Sequence, residues 1–421
     1  MEEYPFGKHK SEDLLLVFVL ASLGWLIVTI QGGSDLNHLG GEYFNVAQSV
    51  RSGAGFSNPF GVETGPTAWT PPGYVYLLVL TLTITGDELG QVISIMRIAN
   101  VVSFVVLATT ILRWSRHLLV PRVGQSAVLL IFLWNFYYFF ELTSDVWLRT
   151  ILCCVAWESF VQTGRQESVA SNVTLGFVGG VCFLCCPITG MGWLVTLLIQ
   201  AWPTFTKFWS KRRLLAIQFG IPLVIAGIIV MPWVIRNRMV MKNWIPIKSN
   251  LGYEAFQSQV LDNDGVLDAP TLSRHPWNHS SNQFLRYAEL GEVEFVRQCW
   301  MPYFNSIGNR PMNFLIRVNN RFVESCISPT YTRNPKLLST CLLCGTLFSF
   351  ILLSFCKPKG KELRVLFTLY IVCLAPHVLF GYSERYGASL LLFRALLILF
   401  AASRIKGFFE TSARKASKIF K

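Results

Sequence analysis

Carboxylates and guanidinium groups gather at four places in this chain, each beside an apolar run. Glu42 and Tyr43, with Asp35 just ahead of them, belong to the stretch that runs to Tyr76. Asp145 closes a brief turn that begins at Glu141. Arg236 and Asn237 end the segment starting at Pro232, and Arg385 and Tyr386 end the segment starting at Tyr382. A carboxylate can take a proton from an attacking hydroxyl or amine, and a guanidinium fork matches phosphate oxygens two at a time. Together they are what chemistry on a polar lipid headgroup would use. Each group also has a plainer reading. Glu42 suits the first turn of a helix, Asp145 suits a helix N-cap, and arginines near a bilayer snorkel. Tyr43 and Tyr386 fit an interfacial aromatic belt. His38 and Glu42 are spaced to share a metal, but two ligands are too few to define a site.

The elements that carry these groups follow from spacing. Tyr43, Val46, Ala47 and Val50 recur at helical intervals and form one apolar stripe, with Gln48, Ser49 and Arg51 opposite. Ser52 and Gly53 supply a stop. Such a helix lies flat on a membrane surface, apolar side down. After a glycine-rich loop, Pro71 and Pro72 open a second apolar helix that Gly86 ends. From Pro71 to Thr85 that helix reaches only about 22 Å, against a hydrocarbon core of about 30 Å. It reads as juxtamembrane or re-entrant.

The chain as a whole is 52% hydrophobic and 14% charged, outside the range of soluble domains. Apolar runs separated by short polar loops predict an all-α polytopic membrane protein of about ten transmembrane helices. The expected spans are 14–30, 92–112, 123–140, 146–162, 175–186, 190–204, 214–235, 337–355, 365–380 and 388–402. The formal charge of +13 lies largely in clusters beside these runs, as the positive-inside rule requires, so nucleic acid is not an expected partner. Both termini then fall in the cytoplasm and the active face outside. Residues 1–235 form a membrane module whose outer loop is 31–91. Residues 236–335 form a small, mainly helical outer domain. Residues 336–403 hold the last spans, and 404–421 a basic tail suited to an anionic inner leaflet. Most cysteines lie in or beside apolar runs, where they behave as small hydrophobes; Cys299 and Cys326 are exceptions that a disulfide could join.

The order of motifs carries a resemblance. Tyr43, Ala47, Arg51, Gly53, Gly55 and Phe56 come first, then Pro66, Thr67, Ala68, Pro71, Pro72, Gly73 and Tyr74. Pro232, Trp233, Ile235, Arg236 and Asn237 follow, and Glu384, Arg385 and Tyr386 close the series. In this order they resemble the bacterial protein-mannosyltransferase-like enzymes of the GT-C superfamily, which includes the lipid A aminoarabinose transferase and the protein O-mannosyltransferases. The resemblance implies a multi-pass enzyme, of bacterial inner-membrane type, with its active site outside. It implies transfer of a sugar from a polyprenyl-phosphate donor to a lipid, glycan or protein acceptor. It also implies two juxtamembrane helices in the first outer loop. Glu42, Asp145 or Asp35 would be the base, and Tyr43, Arg236, Asn237, Arg385 and Tyr386 would bind donor and phosphate. No cofactor is certain, and a divalent cation stays open. The family's first-loop acid position is here Leu39, with Glu42 three residues on and near the same helix face. A basic residue expected before Pro187 is here Cys186. Those departures leave room for a non-catalytic relative. A lipid or solute transporter is the other rival, disfavoured because the spans read as nearly charge-free.

Overall fold

The computed structural model describes residues 10–31, 39–140, 142–166, 168–205, 216–262, 264–267, 269–327, 336–355, 361–381 and 386–419. Asp35, His38, Glu141 and Arg385 lie outside the described residues, as does the segment 328–335.

The protein is an all-α membrane protein. Helix α1 is Lys10–Gln31, α2 Gly41–Arg51, α3 Pro72–Thr85, α4 Leu89–His117 and α5 Arg122–Phe136, the last followed by a 3₁₀ turn at Tyr137–Phe140. Then come α6 Val146–Gln166, α7 Val169–Cys185, α8 Pro187–Phe205 and, after a π-turn at Ala216–Gly220, α9 Ile221–Met241. The polar segment holds α10 Leu251–Phe256, α11 Ala269–Arg274, α12 Asn282–Leu290, α13 Glu292–Asn309 and α14 Pro311–Ile327. Helices α15 Lys336–Phe355, α16 Lys361–Leu379 and α17 Gly387–Ile419 complete the bundle.

Among the described residues, each of the ten expected spans overlaps a helix. Among the described residues, Leu89–His117, Ile217–Met241, Lys361–Leu379 and Gly387–Phe409 are long and apolar enough to cross a membrane; six other apolar stretches are shorter. Outward faces carry Phe18, Ile84, Leu130, Phe177, Trp202, Ile228 and Phe348 in the open, which suits lipid rather than water. Inside, Phe104 packs against Phe132, Phe136 and Phe140, and Trp114 packs against Trp157.

One expectation needs correction: the helices are not charge-free. Arg149 in α6 and Arg394 in α17 are buried, and Glu158 in α6 pairs with Arg113 in α4. All lie within the first or last few turns of their helices, where a partner is at hand: Arg394 donates to Ser325 O, and Glu158 also accepts from Trp114 Nε1 at 2.9 Å.

The two helices of the first loop run side by side in the same direction. Tyr43 meets Tyr74 edge-on at 5.1 Å at their starts, and Arg51 pairs with Asp87 at their ends. Helix α3 begins after Pro71 in extended geometry and stops at Gly86, φ +60°, as its sequence predicts. Ser49 departs from expectation. It is buried with Tyr43, Val46 and Ala47, because the chain after α2 turns back and Ala54 N donates to Ser49 O at 3.0 Å. Gly73 is required where α3 meets the end of α7: a Cβ there would run into Cys185.

The polar segment is folded rather than extended. Helices α12 and α13 cover the stretch from 282 to 309 and break at Gly291, φ +72°. Phe60, Trp69, Tyr253, Tyr287 and Phe295 form its core, so the first loop supplies part of that core. Cys299 is a buried free thiol there, and burial pushes it up to about 12.

Candidate functional site

The turn before α6 is fixed from two sides. Tyr74 of α3 donates to Thr143 O at 3.1 Å, and Asn100 of α4 donates to Leu142 O at 2.6 Å. These bonds place Asp145 at the first turn of α6 with no exposed surface. Its Oδ2 accepts from Arg149 Nε at 2.5 Å and from the Tyr43 hydroxyl at 3.3 Å. Arg149 Nη2 reaches the same Tyr43 oxygen at 3.4 Å, and Nη1 lies 3.8 Å from Cys186 Sγ. Its guanidinium sits 5.0 Å from the centre of the Tyr386 ring, which stacks on His377. The structure therefore brings Tyr43, Asp145 and Tyr386 together around a cation that sequence reasoning missed. A signal was present, since an arginine one turn after an acid at a span end is an i, i+4 pair.

That cation also bears on Cys186. The position lacks a basic side chain of its own, yet Arg149 places a guanidinium against it from the neighbouring helix. A second cation stands near. Lys248 pairs with Glu254 at 2.9 Å and feels both Tyr386 and Arg149. Burial lowers its pKa, but Glu254 and Tyr386 outweigh burial and leave it above the usual lysine value.

Glu42 occupies different surroundings. Trp69 Nε1 donates to its Oε1 at 2.9 Å, and His275 Nε2 lies 3.5 Å from the same oxygen. Its side chain keeps 19% exposure, whereas Asp145 keeps none. The segment carrying His275 folds over the start of α2: Trp277 covers Gly41 so closely that any Cβ there would collide with its ring. His279 Nε2 and Phe60 O are 2.8 Å apart, which ties the same segment to the first loop. The two acids thus differ in kind. Asp145 is locked to an arginine, and Glu42 is reachable and held by a neutral donor.

Arg236 turns its donors to two backbone carbonyls and to Asn237 Oδ1, the last at 3.0 Å. Nη1 donates to Thr67 O at 2.6 Å and Nη2 to Phe56 O at 2.7 Å, with the guanidinium against the Phe56 and Trp233 rings. Asn237, fully buried, donates to Ile245 O at 2.9 Å. Both residues hold loops in place in this arrangement. Glu292, at the start of α13, completes the clamp. It accepts from Ala68 N at 2.8 Å, Ser249 Oγ at 2.7 Å and Tyr287 at 3.0 Å, and also from Thr67 Oγ1. Burial pushes its carboxyl above the ordinary value although these donors favour the charged form. Among the described residues no group of three or more His, Cys, Asp or Glu side chains could hold a metal ion.

No protein-family model matches the sequence, and no curated protein matches it. Among solved structures, the crystal structure of ArnT from Cupriavidus metallidurans bound to undecaprenyl phosphate is similar at a TM-score of 0.39 and 13% identity, over 94% of this chain and 78% of that chain. A likeness at that score decides neither fold nor function.

Proposed function

We propose that the protein is a membrane glycosyltransferase of the GT-C type, moving a sugar from a polyprenyl-phosphate donor to an acceptor on the face that carries the first loop. One observation supports this above the rest. Three of the four places where the sequence gathers charged and aromatic groups, around Tyr43, Asp145 and Tyr386, converge with Arg149 on one buried charged cluster.

In this reading Glu42 accepts the proton of the attacking hydroxyl or amine, and His275 beside it receives or shares that charge. The sugar inverts as the phosphate leaves. Arg149, and Arg385 next to Tyr386 in the chain, are the cations we assign to the developing phosphate charge. Asp145 orients Arg149 and Tyr43. Arg236 and Glu292 are assigned to holding the loop rather than the donor. The donor's phosphate and prenyl chain make polyprenyl-phosphate and the bilayer the partners, and the bacterial inner membrane the proposed setting. The acceptor is a lipid, glycan or protein. Incubating reconstituted protein with polyprenyl-phosphate sugars of defined composition, and following release of polyprenyl phosphate, tests the reading. Sugar-dependent release supports it. No release from any pentosyl or hexosyl donor contradicts it.

A further inference from the structure

The end of the bundle away from Asp145 holds a cavity that the proposed chemistry does not use. From Val146 to Thr163, helix α6 travels about 26 Å at its ordinary rise, close to the thickness of a hydrocarbon core. There α6, α8 and α16 enclose a space of about 260 Å³ whose polar lining includes Thr163, Gly164, Gln200, Gln218, Lys361 and Arg364. That is a little below the range of drug-sized ligand pockets, about 300–1,000 Å³, and large enough for a phosphate with its esterified glycerol. Two cations line it. The nearby acid, Glu362, lines an adjoining space of about 110 Å³, which Lys361, Gly164 and Gln200 line as well. Gly164 leaves room for the stem of Lys361, whose Cδ would stand 3.9 Å from a Cβ at that position.

The rest of the lining is apolar. Leu175, Leu197 and Ile199 form walls, and the apolar surface continues outward on α8 as exposed Leu198, Ile199 and Trp202. A cationic, amide-rich recess opening onto an apolar helix face matches an amphiphile better than a free ion. Basic pockets between membrane helices take anionic headgroups on these terms. We propose that this cavity binds the phosphate headgroup of an anionic membrane lipid, with its acyl chains along the α8 face. The inference rests on the membrane fold alone, so it stands or falls independently of glycosyl transfer.

Native mass spectrometry and thermal unfolding of the purified full chain test it, with phosphatidylglycerol, phosphatidylcholine and inorganic phosphate as separate probes. Phosphatidylglycerol is expected to stay bound and raise Tm, and the other two to do neither. Lys361→Ala with Arg364→Ala should weaken phosphatidylglycerol retention by roughly tenfold or more. Gly164→Leu, which improves helix propensity while filling the recess, should weaken it too without lowering the Tm of the lipid-free protein. Equal retention of the two lipids, or variants that bind phosphatidylglycerol as the parent does, would overturn the proposal. A Tm rise with inorganic phosphate alone would also overturn it, because the site would then be one for free anions. The basic tail beyond residue 404 is unchanged in every variant, so lipid held there does not mimic the result.

Discussion

Arg149 Nε donates to Asp145 Oδ2 at 2.5 Å, one helical turn away and out of reach of solvent. A carboxylate so neutralised is a poor proton acceptor and a good anchor. In the proposed reaction this relationship divides the labour between the two acids: Asp145 sets the positions of Arg149 and Tyr43, and proton transfer is assigned to Glu42.

Breaking that pair from one side leaves a buried charge alone. Asp145→Asn is expected to destabilise the protein by about 3 kcal/mol, because an uncompensated interior arginine is costly. Adding Arg149→Met should recover most of the loss, since a buried pair replaced by apolar groups of similar size is close to neutral. Thermal unfolding of the single and double variants checks this. A double variant less stable than Asp145→Asn would contradict the pairing as the source.

Arg236 anchors the first loop through two carbonyls, so its removal should show first as motion. In Arg236→Ala, amide exchange between residues 56 and 68 should accelerate while the rest of the bundle keeps its protection. Arg236→Lys, which keeps charge but loses the fork, should behave nearly the same. Unchanged exchange with weaker donor binding would return Arg236 to the role of a phosphate ligand.

Glu292 predicts a pH dependence. Its folded carboxyl titrates above the ordinary 4.5 because burial outweighs its donors. Its contribution is therefore fully present below the unfolded value and is lost as pH rises through the folded one. Tm should fall as pH climbs from about 4.5 through that raised value, and Glu292→Gln should flatten the slope there. A slope unaltered by the substitution would assign it to another group.

Much of the site's frame was legible in the sequence. Pro71 and Gly86 marked the ends of α3, the stripe through Tyr43 and Val46 marked the buried face of α2, and Asp145 stood at the start of its helix. Those features are local, fixed by backbone geometry within a few residues. Arg149 was overlooked because a single cation in an apolar run reads as an exception, not as the far half of a pair. His275 and Glu292 were beyond reach for another reason. Their partners lie far along the chain, as Glu292 and Ala68 do, and only the folded bundle brings such residues together.

The position of α3 offers a test of topology. It runs beside α2 rather than away from it, so Glu88 and Arg122 should fall on opposite sides of the membrane, with α4 the only helix crossing between them. Single cysteines at 88 and 122 in an otherwise Cys-free protein should label from outside and inside respectively. The reverse pattern would mean that α3 crosses.

The most direct measurement is single-turnover transfer by the Glu42→Gln protein in reconstituted membranes, once a donor has been found for the parent. The substitution keeps the acceptor for Trp69 Nε1 but removes the proposed base. Turnover should fall by roughly 10² to 10⁴ with donor binding little changed. Transfer at near the parent rate would contradict the assignment of Glu42 and, with it, the division of roles between the two acids.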